Sequence, residues 1–141
     1  MIAYFDTSAF VPLFIDEPTS DACDRLWDDA TRVLSVRLLY PEARAALARA
    51  WRMGRLTADA HAEAVALLDA RMPEIDRIEV TEKLAGAAGA IAQHHALRGY
   101  DAVHLAAALT AADDDFVFVT GGQDLAAAAR AVGLAVAIPA R

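Results

Sequence analysis

One cysteine and one lysine stand among the 141 residues. With Cys23 alone, no disulfide can close within the chain, so a reducing cytoplasmic setting is expected and the thiol reads as a small buried apolar group. No apolar run reaches the roughly 18 to 20 residues that a membrane span needs, and no membrane partner is expected. The opening Met1-Ile2-Ala3-Tyr4-Phe5-Asp6 lacks a basic segment followed by an apolar run, so it reads as a strand rather than a secretion signal. Positive charge is scarce too. Lys and Arg total 13 against 20 Asp and Glu, a net charge of -7, which argues against a broad basic surface that grips nucleic acid. Apart from Lys83 the positive charge is arginine, the side chain able to hold phosphate or carboxylate through two hydrogen bonds. No repeat and no low-complexity linker divides the chain.

What is present is a strongly apolar chain, 57% hydrophobic, of the length of one domain spanning residues 1–141. Short β-favouring runs at residues 2–5, 32–36, 77–80, 116–119 and 134–138 alternate with helical stretches at 19–29, 38–53, 57–72, 81–97, 101–112 and 124–132. Pro41 suits the first turn of its helix and Gly54 the position just past its end. Arg98-Gly99-Tyr100 reads as a tight corner between two helices. Strands separated by helical crossovers predict a three-layer α/β/α fold with a central parallel sheet.

In such a sheet, functional groups gather beyond the carboxyl ends of the strands. Asp6 ends the first strand, Glu42 lies in the first turn of its helix, and Asp101 opens another helix. Each has an ordinary explanation as a cap or as a partner of the helix dipole. Together they are three carboxylates from separate segments that a parallel sheet can bring to one edge. Clustered carboxylates repel one another unless a cation offsets them. Oxygen ligation without cysteine or a paired-histidine motif suits Mg²⁺ or Mn²⁺ better than Zn²⁺, and such ions keep waters available for chemistry on a phosphate.

Four segments then carry a resemblance: Ile2-Ala3-Tyr4-Phe5-Asp6-Thr7-Ser8-Ala9, Pro41-Glu42-Ala43-Arg44-Ala45-Ala46-Leu47, Leu97-Arg98-Gly99-Tyr100-Asp101-Ala102-Val103-His104-Leu105-Ala106, and Phe118-Val119-Thr120 with the following Leu125. In this order and spacing they resemble the motifs of PIN-domain proteins, in particular VapC-type toxins, over essentially the whole chain. The resemblance implies a metal-dependent endoribonuclease, a hydrolase that leaves 5′-phosphate and 3′-hydroxyl ends. Asp6, Glu42 and Asp101 would be its catalytic and metal-holding acids, with Mg²⁺ or Mn²⁺ lowering the pKa of a bound water and stabilising the attacking and leaving oxygens. A cognate VapB-type antitoxin, an RNA substrate such as tRNA or rRNA, and a homodimer are the partners implied.

The pattern departs at one place. Gly122 stands where the family usually has a fourth acid, and either Asp124 supplies that carboxylate through a shifted loop, as a fourth metal-site acid, or the site works with three. Arg98 and Arg44 are read as RNA phosphate contacts at the rim, with Thr120 and Ser8 offering hydroxyls to the substrate, Ser8 after its capping role. His104, three residues after Asp101 among apolar neighbours, is expected to be a satisfied, partly buried histidine rather than a ligand. Phe10, Val11, Leu13, Phe14, Trp51 and Met53 are expected mostly in the core, with a lesser use lining an antitoxin groove. Asp113-Asp114-Asp115 is read as a solvated loop away from the site. The competing expectation is a catalytically weak PIN-like module that binds RNA or a protein partner without cleavage.

Overall fold

The computed structural model describes residues 1–141. Five strands, β1 (Ile2–Phe5), β2 (Arg32–Val36), β3 (Ile75–Ile78), β4 (Phe116–Val119) and β5 (Ala135–Ala137), form one sheet in the order β3-β2-β1-β4-β5, with every pairing parallel. Seven helices complete the chain: α1 (Thr7–Phe10), α2 (Ser20–Asp29), α3 (Leu39–Arg52), α4 (Ala58–Arg71), α5 (Glu82–His95), α6 (Gly99–Ala111) and α7 (Gln123–Ala131). The expected three-layer α/β/α architecture is what the chain adopts.

Two apolar cores lie on opposite faces of the sheet, because successive strand residues point to opposite sides. Ala3 and Phe5 of β1 pack with Leu39, Ala43 and Leu47 of α3 and Leu68 of α4, whereas Tyr4 packs with Phe118 of β4 and Leu105 of α6. Cys23 is fully buried, and burial pushes its thiol up to about 11, so it is an inert apolar filler at neutral pH. Phe10 is likewise in the core, while Trp51 and Met53 remain exposed at the end of α3, where Trp51 stacks on His61 at 4.7 Å.

The edge strand lies earlier in the chain than its apolar residues suggested. Residues 77–80 were the expectation, but pairing runs through Ile75↔Val33 to Ile78↔Val36, and Val80 is left exposed. The short 3₁₀ turn Met72–Glu74, built around Pro73, delivers the chain straight into β3. The helix expected from Asp101 also begins earlier. Gly99 opens α6, so Asp101 sits in the first helical turn and the flanking residue is Arg98, whose side chain makes no capping bond. The preceding corner turns on Ala96, which takes the left-handed conformation at φ 54 and ends α5.

The strand order places the site. The chain builds outward from β1 through β2 to β3, then returns to lay β4 on the other side of β1. Loops leaving β1 and β4 therefore emerge side by side, at the point where the winding direction reverses and ligand clefts form in open α/β sheets.

Candidate active site

Asp6 is where β1 hands over to α1, a helix of four residues that is too short to hold itself together. Its carboxylate does that work: Oδ1 accepts the Ala9 backbone N–H at 3.0 Å as an N-cap. The same oxygen accepts the Ser8 hydroxyl at 2.7 Å, and Oδ2 accepts the Thr120 hydroxyl at 2.5 Å from beyond β4. Asp6 is only 4% exposed, and burial raises its carboxyl above the ordinary range. The hydrogen bonds from Thr120, Ser8 and Ala9 oppose that rise in part. Asp6 is both a structural cap and a desolvated acid.

Thr120 and Ser8 complete a small network around it. The Gly121 N–H donates to Ser8 Oγ at 2.8 Å and the Gly122 N–H to Thr120 Oγ1 at 3.0 Å, so the loop after β4 is laced to the loop after β1. Thr120 is fully buried and its hydroxyl is committed to Asp6. The side chain read from sequence as an RNA contact is thus turned inward to the acid, because the parallel register carries Thr120 to the level of Asp6.

Glu42 projects from the first turn of α3, and its Oε1 accepts from His104 Nε2 at 2.8 Å. Asp101 reaches in from the first turn of α6, and its Oδ2 accepts Nε and Nη2 of Arg98, both at 3.3 Å. Asp6, Glu42 and Asp101 open onto one cleft of about 500 Å³, with Arg98 and Tyr100 also on its wall. Arg98 is the exposed partner, 74% against 23% for Asp101, and its guanidinium lies 5.3 Å from the Tyr100 ring centre.

The other sequence-derived residues divide by position. Asp124 is in the first turn of α7 and lines a smaller adjoining pocket of about 270 Å³, whose wall also includes Asp6, Ser8 and Asp101. Gly122, also on that wall, brings no side chain to it. Ser8 stays at the cleft surface. Arg44 is not brought there: its guanidinium donates to the Tyr40 hydroxyl at 2.7 Å, which in turn donates to Asp69 at 2.6 Å on α4. Helix periodicity separates Arg44 from Glu42, which lie two residues apart and so on different faces.

Two participants escaped sequence reasoning. Glu17, from the segment between α1 and α2, is a fourth carboxylate on the cleft wall and is tied at 2.9 Å to Arg55. Nothing local distinguishes it from other loop acids. Tyr4, fully buried in β1, puts its hydroxyl 2.9 Å from His104 Nδ1, and the strand alternation that aims it at the α6 face was the available signal.

No group of three or more acidic, histidine or cysteine side chains stands close enough to cage an ion directly. The donor set still suits a hard divalent ion that is bound largely through water, since Mg²⁺ typically takes one or two carboxylates and keeps the rest of its shell as water and phosphate. Asp6, Glu42 and Asp101 present oxygen donors to a shared cavity of ample size for such a shell.

The sequence profile described as the PIN domain matches residues 3–131. Ribonuclease VapC45 of Mycobacterium tuberculosis is 42% identical over 136 residues, which are 96% of this chain and 94% of that protein. Among solved structures, Mycobacterium tuberculosis VapC20, described as a Sarcin-Ricin loop cleaving toxin, superposes with a TM-score of 0.70 at 19% identity, covering 94% of this chain and 95% of that one. A toxin-antitoxin complex from Klebsiella pneumoniae gives 0.63 at 16% identity, covering 97% of each chain. At those identities the structural likenesses speak to fold alone. The profile match and the 42% identical relative, joined to acids gathered at the winding reversal of a parallel sheet, make this chain a member of the PIN-domain family, in its VapC group.

Proposed function

We propose that the cleft hydrolyses RNA phosphodiester bonds as a Mg²⁺- or Mn²⁺-dependent endoribonuclease, and that the protein is the toxin of a toxin-antitoxin pair. The observation that carries this reading is the convergence of Asp6, Glu42 and Asp101, from three separate elements, on one cavity rimmed by an exposed arginine. These three acids would hold the ion, and a bound divalent ion supplies a water of lowered pKa and charge neutralisation for the phosphate. Arg98 stands where a guanidinium can exchange its exposed bond to Asp101 for a substrate phosphate. Ser8 and the Gly121 N–H keep the loop floor rigid, and Asp124 is placed to act from the adjoining pocket through a water.

The relative's name as a ribonuclease supports RNA as the substrate. A folded RNA such as tRNA or rRNA is the proposed target, and the product ends would be 5′-phosphate and 3′-hydroxyl. The Klebsiella complex supports an antitoxin partner. A cognate VapB-type antitoxin with an arginine-bearing segment would suit the acidic cleft, and the protein would act as a cytoplasmic homodimer. No helix is long and apolar enough to cross a membrane.

The protein purified free of antitoxin, incubated with total RNA and Mn²⁺, should yield discrete fragments with those ends. A second reading, a PIN-like module that binds without cutting, draws on Gly122 and on the lack of a direct three-acid cage. Absence of cleavage, together with cellular toxicity that Asp6→Ala leaves unchanged, would establish that second reading and remove the first.

A further inference from the structure

His104 is almost wholly buried, 2% exposed, yet neither ring nitrogen is spent on backbone. Nε2 bonds Glu42 Oε1 at 2.8 Å, with Thr7 Oγ1 at a longer 3.2 Å, and Nδ1 meets the Tyr4 hydroxyl at 2.9 Å. A histidine that merely fills a core needs only to have its polar atoms satisfied. This one is satisfied by side chains from three different elements, and one of them is a carboxylate on the cleft wall.

We propose that His104 is a positioning residue, which fixes the direction of the Glu42 carboxylate in the cleft and is itself held by Tyr4. The proposal rests on the reading of the cleft as a metal-dependent nuclease site and assigns the device that orients one of its acids. An ionised carboxylate only accepts, so Nε2 carries the proton that reaches Glu42. In the neutral imidazole the other nitrogen, Nδ1, is the acceptor for the Tyr4 hydroxyl, and turning the ring over breaks a buried bond. The Tyr4 side chain is fully buried, so its hydroxyl is held against that nitrogen and not shared with solvent. The Tyr4 ring is stacked on Phe118 at 5.3 Å and stands edge-on to the imidazole at 5.8 Å, so the anchor is itself rigid.

The geometry also joins two layers. Glu42 belongs to α3 on one face of the sheet, and His104 belongs to α6 on the other. Their bond passes over the strand ends and sets the position of one acid relative to Asp101, one turn earlier on the His104 helix. Hydrogen-bond partners behind a carboxylate or histidine at a metal site typically change affinity or activity by about 10- to 100-fold when removed.

The test is Mn²⁺ affinity, measured by electron paramagnetic resonance on the full chain without RNA, alongside kcat and KM for RNA cleavage. Tyr4→Phe keeps the ring and removes only the hydroxyl. His104→Leu removes the donor, while His104→Gln returns an amide N–H at nearly the reach of Nε2. Tyr4→Phe and His104→Leu are expected to weaken Mn²⁺ binding about tenfold or more and to lower kcat with little change in KM. His104→Gln is expected to stay close to the unsubstituted protein. Mn²⁺ affinity and kcat unaltered in Tyr4→Phe and His104→Leu, with only the melting temperature lowered, would overturn the proposal. Should His104→Leu not fold, Tyr4→Phe decides alone. Failure of the unsubstituted protein to bind Mn²⁺ would overturn the nuclease reading itself, a result distinct from tight binding that ignores Tyr4 and His104.

Discussion

Two acid-rich corners lie at opposite ends of the central strands. At the carboxyl end, Asp6, Glu42 and Asp101 come from three distant segments, and every one has a donor from another side chain. At the amino end, Asp113, Asp114 and Asp115 are consecutive and precede β4. Asp115 pairs with the terminal amine at 3.1 Å while remaining 79% exposed, and Asp113 accepts only the local Asp115 N–H. The second corner is denser in charge along the chain, but all three of its side chains are exposed, and its one ion pair lies at the surface. The first is sparse in sequence and concentrated in space. What separates them is desolvation: Asp6 is held among hydroxyls and an amide at a cost that its burial makes visible.

The largest effect that would break this contrast is on catalysis. Asp6→Ala should reduce RNA cleavage on the order of 10²-fold or more, the scale for removing one group that stabilises transition-state charge. Changing Asp113, Asp114 and Asp115 together to Asn should leave the rate unchanged. Equal losses in the two proteins, measured with intact melting curves, would erase the distinction between the corners. Chelation comes next. RNA affinity should fall at least about tenfold in EDTA, because a cleft of bare carboxylates repels phosphate, each decade being about 1.4 kcal/mol. Filter binding with and without chelator at fixed ionic strength checks this, and metal-independent binding of equal strength would refute it.

The smallest effect concerns stability. Because the folded pKa of Asp6 lies above its unfolded value, the native state holds that proton more tightly, and stability falls as pH rises through the interval between them. Asp6→Asn keeps the cap acceptor without that penalty. In EDTA it should be the more stable protein at pH 7, by on the order of 1 kcal/mol, the usual scale when active-site strain is relieved. The gain should shrink as pH is lowered past the folded pKa towards the unfolded one. Thermal melts across that range give the comparison, and a pH-independent difference would deny that the buried charge is its source.

How far sequence reasoning reached depends on whether the determinant was local. β1, β2 and β4 have the bounds expected of them, since each is a compact apolar run closed by polar residues. Asp6, Glu42 and Asp101 could be singled out because each sits where a helix begins. β3 was displaced by two residues because, on the sheet edge, pairing with β2 outweighs its own hydrophobic content. Ala96 carries the left-handed turn although a glycine stands three residues later, so local propensity pointed to the wrong residue for that turn. Arg44 and Thr120 were placed by helix phase and strand register that a list of polar residues does not contain. Glu17 and Tyr4 depend on contacts across the fold.

The bond between Asp6 and Thr120 joins residues separated by 114 positions, with Asp6 made first. At about 5 to 20 residues per second, a ribosome needs roughly 6 to 23 seconds to pass from one to the other. During that interval β1 has no β4 beside it, and Asp6 lacks the hydroxyl that closes over it. The central strand is made well before the neighbour that completes its pairing on that side. Synthesis therefore imposes a delay before the cleft exists in its assembled form, and any partner that recognises the assembled cleft has that same delay in which to accumulate.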